Sequence, residues 1–194
     1  MGEPRVQIWA GLGNPGAAYA LHRHNVGFMV ADAIAAIHEF GPWQKKFRSL
    51  VSEGRLGGAR VLLLKPQTYM NDSGDAVQQA LAFFKLDVAA LTAIHDELDL
   101  APMKVKVRTG GGLAGHNGLR SIDASLGPDF RRLRIGIGHP GDKARVTGHV
   151  LGNYAKSEME PLSDLLAAIA SEADALAAGD DVRFMNDVAL RMQG

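Results

Sequence analysis

The chain contains no cysteine, which excludes disulfides, thiolate metal sites and a cysteine nucleophile together. No apolar run approaches the ~18 residues of a membrane span. The opening residues Met1-Gly2-Glu3-Pro4-Arg5 lack the basic-then-apolar profile of a signal peptide. Neither an internal repeat nor a low-complexity linker interrupts the sequence. The expectation is one domain over residues 1–194, long enough to bury a proper core, in the cytosol and off the membrane. With 46% hydrophobic and 22% charged residues, the composition is that of an ordinary folded globule.

Net charge is absent too, with 21 basic and 21 acidic residues, but the charges are unevenly placed. Nine basic residues and three acids lie between Pro102 and Arg145, whereas the stretch from Val146 onward holds three bases and eight acids. A basic middle beside an acidic tail points to a polyanionic partner on one face. Lys104, Lys106 and Arg108 recur at period two, so a strand would present all three on one side. The flexible Gly110-Gly111-Gly112 loop that follows suits phosphate contacts, which Arg134 and Lys143 would extend.

Hydrophobic periodicity gives the elements. Arg5–Ala10 alternates as a strand into a glycine turn. Val26, Met29, Val30, Ala33, Ile34 and Ile37 mark a helix over 25–40, closed by Gly41-Pro42. Residues 47–52 and 60–64 read as strands joined across Gly54–Gly58, the second of them central. A helix capped by Asp72 or Ser73 runs to Lys85, and one capped by Asn117 runs to Leu126. Strands are expected at 91–95, 103–108 and 133–137, and closing helices at 157–178 and 182–192. This alternation implies an α/β sandwich, with a central mixed, mostly parallel β-sheet flanked by helices.

Four polar segments stand where apolar runs begin or end: Gly11-Leu12-Gly13-Asn14-Pro15-Gly16 with His24-Asn25 behind it, Tyr69-Met70-Asn71, His95-Asp96-Glu97, and Gly115-His116-Asn117-Gly118. His24 is the candidate base, and Asp96, at the end of an apolar strand, is the carboxylate to orient it. Asn14, Asn71 and Asn117 are amides able to steady a water or an oxyanion. That set suits metal-free activation of water. The Gly11-x-Gly13-x-x-Gly16 spacing matches a dinucleotide fingerprint, yet Pro15 and the polar 19–23 stretch delay the helix beyond the glycines, and residues 25–40 are helical where a second strand ending in an acid should fall. Ser73 and Ser121 lack a nucleophile elbow. His22-x-His24 with Asp96 has no HExxH or second carboxylate cluster to make a metal site.

These segments, together with Lys65–Gly74 and Arg132–Pro140, closely resemble the bacterial-type peptidyl-tRNA hydrolase family along essentially the whole chain. The resemblance implies a mixed α/β fold and hydrolysis of the ester joining peptide to tRNA, on substrate shed by stalled ribosomes, with the tRNA recycled. It implies no metal, no cofactor, no obligate protein partner and a monomer. It places catalysis on His24, Asp96, Asn14 and Asn71. Substrate contacts fall on Tyr19, Met70, Asn117 and His116, and a tRNA phosphate clamp on Lys106, Arg108 and Arg134. One departure is His22, where the family usually has threonine before the Arg-His-Asn run.

Overall fold

A computed structural model describes residues 5–194; Met1–Pro4, most of the stretch inspected for a leader, lies outside the described residues. Seven strands form one sheet: β1 (Val6–Gly11), β2 (Gln44–Lys46), β3 (Ser49–Leu56), β4 (Ala59–Pro66), β5 (Leu91–Glu97), β6 (Val105–Thr109) and β7 (Arg131–Gly136), in the order β2-β3-β4-β1-β5-β7-β6. The four central strands β4, β1, β5 and β7 are parallel, and antiparallel strands close both edges, β2 and β3 beside β4 and β6 beside β7. The mixed, mostly parallel sheet read from the sequence is the one observed.

Side chains of these strands alternate between two cores, as a pleated strand requires. Trp9, Val61, Leu63, Ile94, Leu133 and Ile135 face one layer, made by α1 (Val26–Ile37), α5 (Met159–Ser171), α6 (Ala173–Ala177) and α7 (Asp181–Gln193). Ile8, Ala10, Leu62, Leu64, Leu91 and Ala93 face the other, made by α2 (Ser73–Phe83) and α3 (Asn117–Leu126). Each fully buried aliphatic side chain contributes about 1.5–3 kcal/mol of transfer free energy. The two faces thus explain why the central strands read as unbroken apolar runs. A short α4 (Val146–Val150) crosses above the sheet and was not legible as a helix. No helix among the described residues is long and apolar enough to cross a membrane.

Several boundaries differ for physical reasons. Only Gly57-Gly58 makes the β3–β4 turn; Gly54 lies inside β3, where a Cβ would meet the Phe40 ring at 2.4 Å. Edge strand β2 is exposed throughout and has no apolar alternation to reveal it. Lys104 precedes β6, so the basic strand carries Lys106 and Arg108 only. Asp72 occupies the N-cap of α2 without a side-chain bond, and Ser73 instead donates to the Met70 carbonyl at 2.7 Å. The closing helix breaks at Glu172, whose carboxylate accepts from Arg191 of α7 at 2.6 Å.

Candidate active site

The site lies at the carboxyl ends of β1 and β5, where the strand order reverses. From β1 the chain crosses through α1 toward the β4 side, whereas β5 continues to β7. Such a switch point leaves a crevice in an open α/β sheet. β1 pairs with β5 only to Gly11↔Ile94, and Leu12 N–H gives the last bond, to the Ile94 carbonyl at 2.9 Å. β5 runs three residues further. The amino end of α1 lies directly on this seam because two glycines permit backbone contact. A Cβ on Gly27 would meet the Ile94 oxygen at 2.3 Å, and one on Gly11 the Gly27 oxygen at 2.2 Å. That contact sets the height of His24, in the 3-10 turn Arg23–Asn25 just before α1.

His24, Asp96 and His116 converge here, all buried. His24 Nδ1 lies 2.9 Å and 3.1 Å from the two Asp96 oxygens, and His116 Nε2 lies 2.8 Å from Oδ1. The tautomers follow from the partners. An ionised carboxylate only accepts, so His24 carries its proton on Nδ1 and keeps a lone pair on Nε2. His116 Nδ1 accepts from the Gly118 and Leu119 amides at 3.1 and 3.3 Å, so its proton sits on Nε2, directed at Asp96. Burial alone would raise the Asp96 pKa. Attraction to His116 and His24 and the hydrogen bonds from both outweigh it, holding the carboxyl well below its usual range. His116, not Asn117, is therefore the N-cap of α3. The reading of Asn117 as the cap fails because the imidazole reaches the amides first.

Asn14 is fixed on all sides but one. Its N–H and carbonyl are bridged by the Asn25 side chain, both at 2.9 Å, and its Oδ1 accepts from the Met70 amide at 2.7 Å. The Nδ2 donor has no partner among the described residues. His24, Asp96, His116 and Asn117 line a cavity of about 460 Å³, closed by Val146, Thr147, Val150 and Leu151 and edged by Lys143. Asn71 is exposed and lines an adjoining groove with Asn117, Arg120 and Ser121 rather than this cavity. Met70 is buried in the core between the sheet and α2. Tyr19 is half-buried, edge-on to His22 at 5.4 Å and to Tyr69 at 6.3 Å. Tyr69 is exposed and holds φ 60°, a left-handed backbone that costs a bulky residue on the order of 1–3 kcal/mol.

The basic face is built across β6 and β7. Lys106 lies opposite Arg134 and Arg108 opposite Arg132. Like charges directly across a ladder repel, unless an anion or a carboxylate lies between them. Arg134 has such a partner, donating to Glu97 Oε1 at 3.0 Å. Arg132 is buried, donates to the Gly112 and Pro128 carbonyls at 2.6 and 3.2 Å, and lies over the Phe130 ring at 4.4 Å. Burial, and then repulsion from Arg108, lower its pKa. Lys106 and Arg108 stay exposed, with no ion pair among the described residues.

The trio also has ligand atoms within 4.8 Å of one another, the one such group of three among the described residues. Its nitrogen–oxygen separations are hydrogen-bond distances, and a cation would have to displace the protons on His24 Nδ1 and His116 Nε2. A larger cavity of about 630 Å³ opens at the opposite end of the sheet. Arg131 there is already held by Thr92, Leu176 and Asp181.

Sequence reasoning missed Glu97 as the counter-charge of Arg134 and Asn25 as the brace of Asn14. Both lie inside motifs already singled out. It also missed His116 as a second donor to Asp96, although a histidine just ahead of the Asn117-Gly118 helix start was a visible signal.

A family model described as peptidyl-tRNA hydrolase matches residues 8–193. The chain is similar to a peptidyl-tRNA hydrolase of Sphingopyxis alaskensis, 66% identical over 97% of this chain and all of the relative. It is equally similar to one of Novosphingobium aromaticivorans, 66% identical over 97% of this chain and 98% of the relative. The crystal structure of peptidyl-tRNA hydrolase from Acinetobacter baumannii superposes with a TM-score of 0.87 at 40% identity, covering 94% of both chains.

Proposed function

The chain belongs to the peptidyl-tRNA hydrolase family, and from that premise we propose that it cleaves the ester between peptide and tRNA by water activated at His24. The observation that carries this reading is the two-oxygen contact of Asp96 with His24 Nδ1, which leaves Nε2 as a lone pair in a residue lining a cavity. Nε2 takes a proton from water as the water oxygen bonds to the ester carbonyl carbon. Asp96 stabilises the imidazolium that forms. The carbonyl oxygen becomes an oxyanion, to which the free Nδ2 of Asn14 donates; Asn71 and Asn117 act at the groove side. Collapse breaks the bond to the ribose oxygen, which takes the proton back from His24. The products are a tRNA hydroxyl and a peptide carboxylic acid, which releases its proton to solvent and leaves as the carboxylate. A sugar alcohol leaves more readily than an amine, which suits a site with no covalent nucleophile.

Lys106, Arg108 and Arg134 hold the tRNA backbone, and binding phosphate relieves the repulsion across β6 and β7. Tyr19, with Tyr69 beside it, contacts the peptide, and buried Met70 forms the floor. His116 completes the substrate side of the cavity. The whole chain acts as one catalytic unit, a cytoplasmic monomer needing no metal or cofactor.

The test is release of free tRNA from an N-blocked aminoacyl-tRNA, in EDTA, by wild type and His24→Ala. Hydrolysis in EDTA, reduced on the order of a hundredfold or more in the variant with tRNA binding retained, is expected. Near-normal turnover by His24→Ala overturns the base, and loss of wild-type activity in EDTA overturns metal independence.

A further inference from the structure

Beyond the residues already given roles, one buried titratable side chain touches the site. His95 is 1% exposed and lines the catalytic cavity. Its Nδ1 donates to the main-chain carbonyl of Asp96 at 2.8 Å, and its ring stands edge-on to His116 at 5.1 Å. Its Nε2 is buried with no partner among the described residues.

The reason for the Nδ1 bond lies in the sheet. Alternate carbonyls of a parallel strand point to the same neighbour. The Ile94 carbonyl accepts from Leu12 on the β1 side, and two residues on, the Asp96 carbonyl points to that side after β1 has ended. A buried carbonyl without a donor costs on the order of 1–3 kcal/mol. The imidazole of His95 supplies the donor that the missing strand does not.

We propose that His95 is a positioning residue. Its Nδ1–H replaces the lost strand at the Asp96 carbonyl, and its ring backs His116, so the Asp96 carboxylate stays within reach of both imidazoles. Its unpaired Nε2 is a cost that an apolar residue of similar size would avoid, so what keeps a histidine at this depth is the donor that its Nδ1 supplies. Burial, then repulsion from His116, holds its pKa to about 3. The ring is therefore neutral and its Nδ1 proton is committed to the carbonyl. The Asp96 side chain receives His24 and His116 from opposite layers of the sheet, so a shift of the 96 backbone disturbs both contacts at once.

The inference rests on the hydrolase reading for its consequence, but not for its first measurement. That measurement is the downfield Nδ1 proton resonance of His24 and the ring-nitrogen shifts of His116, in substrate-free protein. His95→Asn keeps a donor at the Nδ1 position; His95→Gln moves it out to the Nε2 position; His95→Phe removes it at similar volume. The expected result is a wild-type His24 resonance in Asn, with the His116 shifts altered only by loss of the neighbouring ring, and shifted or exchange-broadened His24 resonances in Phe and Gln. Turnover should follow, with kcat down about ten- to hundredfold in Phe and Gln, KM unchanged and Asn within about threefold of wild type. Should Phe not fold, the Asn–Gln pair carries the comparison. A wild-type His24 resonance in Phe or Gln overturns the proposal, as does an Asn variant as impaired as Gln. Resonances that shift as expected in a chain with no hydrolase activity would sink the functional reading instead and leave the geometry standing.

Discussion

Replacing Asp96 by asparagine exchanges one carboxylate oxygen for an NH2 group and tests the logic of the site. The carboxylate now accepts from His24 Nδ1 and from His116 Nε2. An amide has one accepting oxygen and a donating nitrogen. His116 cannot change tautomer without facing the Gly118 and Leu119 amides with a proton on Nδ1, so it retains the oxygen. His24, whose shorter contact of 2.9 Å is to the other position, then faces the amide nitrogen there and keeps only the longer 3.1 Å approach to the shared oxygen. It must accept from that nitrogen through Nδ1 and move its proton to Nε2, where the base is needed. The general-base contribution of roughly 10²–10⁴ is then lost, although every residue stays in place. Folding loses less: one strained or unmade buried hydrogen bond, about 1–3 kcal/mol. Expected for Asp96→Asn is a kcat fall of at least about a hundredfold, tRNA affinity within twofold of wild type and a cooperative melt. A His24→Ala, Asp96→Asn double variant should be little worse than either alone, because the two act as one unit. Turnover of Asp96→Asn within about threefold of wild type would refute the tautomer reasoning.

Three further outcomes follow from other parts of the molecule. His95 titrates near 6.5 when unfolded and near 3 when native, so between those values only the unfolded chain takes up its proton. Stability should fall with acidification at about 1.4 kcal/mol per pH unit more in wild type than in His95→Asn; parallel urea midpoints at pH 7, 6 and 5 would contradict this. Gly27→Ala drives a methyl into the Ile94 oxygen and Leu12 nitrogen. It should destabilise by about 1–3 kcal/mol or more and reduce kcat by tilting His24 away from Asp96; an unchanged melting curve would show that the contact is not rigid. Lys106→Gln and Arg108→Gln should each raise KM, spare kcat and reduce the slope of log affinity against log salt by about one; an unaltered slope would remove that side chain from the phosphate clamp.

Much of the fold was legible because the central strands bury both faces and so appear as apolar runs, with glycines and asparagines at their ends. His24 and Asp96 were legible as candidates because a histidine just ahead of the first helix and a carboxylate closing an apolar strand both fall at the carboxyl edge of an open α/β sheet. What could not be read depends on where one strand stops relative to its neighbour. The overhang of β5 beyond Gly11 decides that His95 serves a carbonyl. Local competition hid other features. Whether His116 or Asn117 caps α3 is settled by reach, and Asn71 faces the groove rather than the cavity because of the turn that begins at strained Tyr69. Glu97 was hidden by register, since its partner Arg134 is 37 residues away.

The hydrogen bond between His24 and Asp96 joins residues 72 positions apart, across strands that are neighbours in space only once the first crossover and the β3–β4 hairpin are in place. Contacts of such long range form late in folding, after loop-closure entropy has been met. Enzymatic activity is therefore a recorder of complete assembly. In a refolding experiment it should return with the last phase rather than with helix signal, and neither half of a chain cut at Gly57-Gly58 should have turnover until the two are mixed.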